Sequence, residues 1–400
     1  MRMNVNELLI SLSQALNFAE EGVLNKSTNH GVRVAYISGR IAQVLSMPEE
    51  NLFDLISYSL LHDNGVMNAL LEIPVRSTFR TGTNPAHCVE GEKNIAEFPF
   101  LHRERNVILY HHEHYDGSGF FGVSGRDIPL YSRVIALSDK IALLYSGGMQ
   151  EDDIVSRVQT EARIFDPVVR EAFLELSGRV EFWLGMNDQF VQGALAAMLP
   201  RVYRRLEFQE IRSVSQIFSR IIDAKSPFTG SHSRGISEKV GKICSYYEFD
   251  GDTYWKMRIA ADLHDLGKLI VPNEILDKPG RLTPQEFRVV QAHPYYTRKL
   301  LEMINGFEEI TEWASNHHEK LDGSGYPYGF GEDRLDFNSR ILACVDIYQA
   351  LTEDRPYRKG MSHGAAVRIM QEMARDGLIE SAVVEDIDSL FPAESRMPVQ

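Results

Sequence analysis

The sequence predicts an all-α protein built from two tandem helical bundles, and three observations carry that prediction. Apolar residues recur at helical spacing, as Val34, Ile37, Ile41 and Val44 in the first half and Ile236, Val240 and Ile243 in the second. No segment sustains the two-residue alternation of a strand, and Gly-Pro punctuation is sparse except after two His-His pairs. Above all, one ordered set of histidines and aspartates occurs twice. It reads His30, His62-Asp63, His87, His111-His112, Asp139, and then His232, His264-Asp265, His293, His317-His318, Asp346. Each position returns roughly 200 residues later, and two small length changes account for all the drift, so the chain reads as an internal duplication of a metal-binding unit.

Taken in order, the helix of Val34 to Val44 lies in the first bundle, assigned to residues 1–198. From about Gly193 to Glu210 the chain runs small and apolar (Ala194, Ala196, Ala197), meets Pro200, and turns charged at Arg201, Arg204, Arg205 and Glu207. That pattern fits a joining helix broken or kinked near Pro200. The second bundle is assigned to residues 209–400. Leu300, Leu301, Ile304 and Phe307 continue its helical spacing, and the tail from about Pro392 is expected to fray. Each half is long enough to bury a core of its own.

At 44% hydrophobic and 24% charged residues the composition is that of an ordinary globular chain. No apolar run approaches the roughly 20 residues that span a bilayer, and Met1-Arg2-Met3-Asn4 lacks a signal-peptide pattern, so a cytoplasmic protein without a membrane partner is expected. A net charge of −14 argues against a broad basic face for long nucleic acid, though not against a small anionic substrate. Cys88, Cys244 and Cys344 show no CxxC spacing. Neither a disulfide framework nor a thiolate zinc site is indicated, and three reduced thiols are expected.

Histidine with carboxylate suits divalent iron, manganese or zinc, and structural zinc sites usually add cysteine. Neighbouring helical side chains diverge by about 100°, so His264 can address one metal while the Asp265 carboxylate spans two. His317 and His318 can both point into one cleft. Asp346 lies in an apolar stretch, Ile341 to Val345, where a carboxylate needs a partner and a metal is a good one. His102 and His363 stand outside the repeat and read as structural or exposed.

The run His264-Asp265-Leu266-Gly267-Lys268, followed by His317-His318-Glu319-Lys320-Leu321-Asp322-Gly323-Ser324-Gly325-Tyr326-Pro327, resembles the signature of the HD-GYP phosphodiesterases. These are a branch of the HD superfamily of metal-dependent phosphohydrolases. The likeness extends to His232, to His293-Pro294 and to Asp346 with the trailing Arg355-Pro356-Tyr357-Arg358, covering about Ser213 to Arg358. It implies an all-helical fold, a metal centre and activity on bacterial cyclic dinucleotides. An HD-type half before an HD-GYP half also resembles the vibrio phosphodiesterases that open 3′3′-cyclic GMP-AMP.

Carried over by position, the resemblance implies that His232, His264, Asp265 and Asp346 bind one metal, and that Asp265 bridges to a second held by His293, His317 and His318. Iron or manganese is expected. Some relatives hold a third metal with a glutamate four residues before the first histidine; Phe228 stands there, so two ions are expected per catalytic domain. Gln349, where many relatives have aspartate, bears on the groups behind the ligands.

Two cations about 3.5–4 Å apart can share a hydroxide ready for attack on phosphorus at neutral pH. Loss of the ribose 3′ oxygen then gives the linear dinucleotide. Asp265 and Lys268 are the expected catalytic residues. Lys268 follows His264 by one helical turn, so both should face one cleft, where the lysine could steady the phosphate or protonate the leaving oxygen. Arg355 and Arg358 could clamp phosphate oxygens, and Tyr326 offers a hydroxyl and a flat face; with Lys268 these are the expected substrate contacts.

The first copy keeps all seven ligand positions (His30, His62, Asp63, His87, His111, His112, Asp139) as a further metal site. The phosphate-binding cations are gone: Val66 stands for Lys268, Gly148 and Glu151 for the arginines, and Phe120-Phe121 for Tyr326-Pro327, while Asp116-Gly117-Ser118-Gly119 is kept. The first half should hold metal or a vestigial site, hydrolyse little or nothing, and pack against, dimerise with or tune the second. The resulting expectation is a cytoplasmic di-metal phosphodiesterase acting on 3′3′-cyclic GMP-AMP, cyclic di-GMP or both, with a homodimer left open. The alternative is an inactive cyclic-dinucleotide sensor. A third reading, oxygen activation or mononucleotide dephosphorylation on an HD fold, is disfavoured by the Gly-Tyr-Pro turn and the arginine pair.

Overall fold

The computed structural model describes residues 2–24, 29–66, 84–225, 232–278, 280–354 and 359–391. It divides into two compact, helical units, Arg2–Leu206 and Glu207–Gln400. In the first, the apolar spacing seen in sequence becomes the helix His30–Val44. Val34, Ile37 and Ile41 on it are fully buried, as are Phe53 and Ile56 of the helix Glu49–Leu60 and Leu137 and Ile141 of Leu130–Ser146. These two helices pack most extensively on His30–Val44. Each such side chain contributes about 1.5–3 kcal/mol by leaving water.

One antiparallel pair departs from the all-helical expectation: Arg2–Met3 runs beside Arg204–Arg205. It shows why the chain beyond the helix Val191–Met198 still belongs to the first unit. The Pro200 carbonyl accepts from Asn4 Nδ2 (3.0 Å), Arg204 donates to the Pro99 carbonyl (2.9 Å), and Leu206 is buried. Of the two expected forms the joining segment takes the broken one, as a helix end, an extended stretch and a fresh helix, Phe208–Lys225. Leu199, which precedes the proline, takes the extended backbone that Pro200 favours.

The second unit gathers Phe208–Lys225, His232–Tyr246 and Gly251–Leu263 around Ile236, Val240 and Ile243, all fully buried. Leu300 and Leu301 end the helix His293–Leu301. Ile304 and Phe307 are buried too, but in the turn that follows, where Gly306 takes φ 86°; the helical spacing outruns the helix there. Asp336 ties two site-bearing helices together. Its Oδ1 caps Phe337–Thr352 at the Ser339 N–H (2.8 Å), and its Oδ2 accepts from Trp313 Nε1 (2.7 Å) on Glu308–Ser315. Among the described residues no helix is long and apolar enough to cross a membrane.

Candidate metal centre

Helix ends deliver most of the second set. His232 opens His232–Tyr246, His264 closes Gly251–Leu263, His293 opens His293–Leu301, and His317-His318 follow Glu308–Ser315. Asp346 comes from the middle of Phe337–Thr352. The structure brings all seven together, six of them buried and His318 half-buried. His232 Nε2 is 3.2 Å from Asp346 Oδ1, and His264 Nε2 is 3.2 Å from Asp265 Oδ2. Asp265 Oδ1 turns the other way, 3.2 Å from His293 Nε2 and 3.8 Å from His317 Nε2. One carboxylate thus faces two groups of imidazoles.

The far ring nitrogens are already occupied. His264, His293 and His317 each set Nδ1 against the carbonyl three residues upstream, that of Ala261 (2.8 Å), Val290 (2.7 Å) and Ala314 (2.7 Å). That bond keeps the proton on Nδ1 and leaves the Nε2 lone pair facing inward. Inside the cradle, His264 Nε2 and Asp265 Oδ1 are buried and, though imidazole and carboxylate stand 3.2 Å apart, neither makes a well-aligned hydrogen bond. A polar atom left so is costly unless a ligand meets it.

The charges point the same way. Burial holds His293 and His317 below the usual histidine value and His318 at about 3, with neighbouring imidazoles adding to the push on the last two. Burial would raise Asp265 and Asp346, but the imidazoles around them, and Lys268 beside Asp265, drive both carboxylates well below their usual range. Permanent carboxylates beside His293, His317 and His318, imidazoles held in the neutral form, make a donor set that fits divalent transition ions.

The other expected residues fall as follows. Past His264 the chain tightens into the 3₁₀ turn Leu266–Ile270, which brings Lys268 Nζ to 2.6 Å from Asp265 Oδ2. The half-buried Tyr326 ring lies 4.8 Å from that of His318, tilted by 36°. Gln349 accepts from Lys239 Nζ (2.8 Å). Arg355, Arg358 and Phe228 lie outside the described residues. His363 bonds Tyr348 and Asp388, and His102 is exposed.

Two residues were not singled out from sequence. Glu353 Oε2 lies 2.8 Å from His232 Nδ1, and together with Asp346 it lifts that imidazole to about 9 against the pull of burial. Seven residues from Asp346, two helical turns on, it shares that residue's helix face, which was a readable signal. Buried Glu319 accepts from the N–H groups of Tyr328 (2.8 Å) and Phe330 (3.0 Å) and so shapes the Gly-Tyr-Pro loop.

The first set converges in the same manner. His30 Nε2 is 3.0 Å from Asp139 Oδ1, His62 Nε2 is 3.4 Å from Asp63 Oδ2, and Asp63 Oδ1 faces His87 Nε2 (3.7 Å) and His111 Nε2 (3.8 Å). His62, His87 and His111 use the same backbone anchor three residues upstream, at Ser59, Asn84 and Ile108. Val66, at the lysine position, is buried, and Phe120 sets its ring edge-on to His112. A cleft of about 360 Å³ reaches this cluster, lined in part by His112, Ser118, Phe120, Asp139 and Lys140.

Helices that meet around buried His-Asp pairs define the class, and the chain belongs to the HD domain family, whose model matches residues 11–167 and again 216–383. Within that family it is 30% identical over 400 residues to the 3′3′-cGAMP-specific phosphodiesterase 1 of Vibrio cholerae, covering 96% of this chain and 91% of that one. A probable cyclic di-GMP phosphodiesterase of the same organism is 42% identical over 171 residues, 37% of each chain. The crystal structure of a cyclic GMP-AMP specific phosphodiesterase of V. cholerae superposes with a TM-score of 0.66 at 25% identity, covering 98% of this chain and 99% of that one.

Proposed function

We propose that the chain is an internally duplicated, cytoplasmic phosphodiesterase. Its second domain (209–400) opens a cyclic dinucleotide, 3′3′-cyclic GMP-AMP, cyclic di-GMP or both. The first (1–198) hydrolyses little or nothing. The observation that carries this reading is the asymmetry between matched clusters: an ammonium 2.6 Å from Asp265 in one, buried Val66 in the other. Similarity to phosphodiesterases of both substrate classes supports it.

In this reading His232, His264 and Asp346 would hold one divalent ion, His293, His317 and His318 would hold another, and Asp265 would serve both. Iron or manganese in such a cradle supplies an activated water and a Lewis acid for the phosphate. The protein's own groups do the rest. Glu353 and the backbone carbonyls fix the imidazoles. Lys268 steadies Asp265 and has further N–H donors for a phosphate oxygen. As a P–O bond forms and the bond to the ribose 3′ oxygen breaks, that oxygen needs a proton, which Lys268 would give. Tyr326 presents its ring to the ligand, and Arg355 and Arg358 neutralise phosphate charge.

The test is turnover of the purified chain, loaded anaerobically with iron or manganese, on both cyclic dinucleotides side by side. Linear product from either supports the enzyme, and the ratio of rates gives the base preference. No product from a protein holding two ions in its second unit would favour the sensor reading.

A further inference from the structure

Cys88 stands where the second unit has Pro294, and its fully buried thiol points at the first metal cluster. Cys88 Sγ lies 3.4 Å from His87 Nε2, the nitrogen that faces the cradle. Asp63, His87, His111 and His112 already converge there, their donor atoms all within 4.8 Å of one another. His111 Nε2 is buried in the same cradle, 3.8 Å from Asp63 Oδ1. We propose that the first unit binds a zinc-type ion through Cys88, His87, His111 and Asp63, making a closed structural site instead of a hydrolytic one.

The spacing fits. Zinc sits about 2.3 Å from a thiolate sulfur and about 2.0–2.1 Å from an imidazole nitrogen, so on a tetrahedral ion those donors lie about 3.5 Å apart. The observed 3.4 Å matches. The Asp63 contacts to His87 and His111, at 3.7 and 3.8 Å, need to contract by a few tenths of an ångström. A soft sulfur in the set favours zinc over iron or manganese, and four protein donors leave no open position for water or substrate. The ion would clamp the helix Ala86–Asn94 to the turns carrying Asp63 and His111. The other thiols do not compete. Cys244 lies in His232–Tyr246 of the second unit, and Cys344, two residues from Asp346, faces the opposite side of its helix. This inference does not depend on hydrolysis by the second unit.

Cobalt replaces zinc with a visible signature, since a cobalt–thiolate bond gives a near-ultraviolet charge-transfer band that histidine and carboxylate ligands do not. Full-length protein, stripped and reloaded with Co²⁺, should show the band of a single thiolate. Cys88→Ser should abolish it and weaken zinc retention at that site at least about tenfold, while Asp265→Ala and Cys344→Ser leave it unchanged. Zinc K-edge absorption of the unmutated protein should show a sulfur scatterer, a readout independent of whether the variants fold. No band in the unmutated protein, a band that survives Cys88→Ser, or a purely nitrogen and oxygen shell would each overturn the proposal, and none would touch the phosphodiesterase reading.

Discussion

Glu353 offers the sharpest test of how the second centre is held. Its carboxylate is 2.8 Å from His232 Nδ1, its side chain only 11% exposed, and Ser146 stands at the corresponding place in the first half. A carboxylate behind a metal-binding imidazole fixes its orientation and raises its basicity, and losing one typically costs about 10–100-fold in metal affinity. That range is about 1.4–2.7 kcal/mol, the size of one hydrogen bond to a charged group. Glu353→Gln keeps the shape and should fall near the tenfold end; Glu353→Ala leaves Nδ1 facing a gap and should approach the hundredfold end. Manganese titration of stripped full-length protein, followed by electron paramagnetic resonance, separates the sites. The ion at His232, His264 and Asp346 should weaken, and the one at His293, His317 and His318 should hold. Wild-type affinity at both sites in both variants would refute the reasoning.

Other expectations follow from the same geometry. Asp265→Ala should abolish hydrolysis while Asp63→Ala leaves most of it, measured as linear dinucleotide formed; equal loss from both would contradict the asymmetric model. Lys268→Val, which copies the first unit, should cut kcat by about 10²-fold with metal content nearly unchanged, and a variant that instead loses its metal would assign the lysine a structural role. A Cβ on Gly267 would run into the His293 carbonyl, where the loop after His264-Asp265 packs on the neighbouring helix. Gly267→Ala should therefore destabilise the second unit by about 1–3 kcal/mol in urea unfolding, and an unchanged midpoint would show that the loop can yield.

The helical class and the convergence of the metal-seeking residues were legible because both rest on pattern: apolar spacing for one, ordered recurrence for the other. What was not legible depends on chain geometry over a few residues or on tertiary contact. A regular helix through Lys268 would place it one turn from His264, whereas the 3₁₀ turn folds it onto Asp265. Ile304 and Phe307 keep helical spacing although the helix has ended, because a buried turn needs apolar residues too. Cys88 carries no CxxC partner, and the turn of its buried thiol to within 3.4 Å of His87 Nε2 is set by packing that spacing does not show.

The anchor shared by His62, His87, His111, His264, His293 and His317 has a further consequence. Each ring takes its bearing from a carbonyl three positions back on its own backbone, so aim is encoded locally rather than borrowed from neighbouring side chains. The contact that fixes each ring's rotation lies within its own segment and does not depend on an ion. Neighbours of these six rings can then be exchanged without re-aiming them: Lys268 against Val66, Pro294 against Cys88. A scaffold so wired can change its trade by swapping a single bystander.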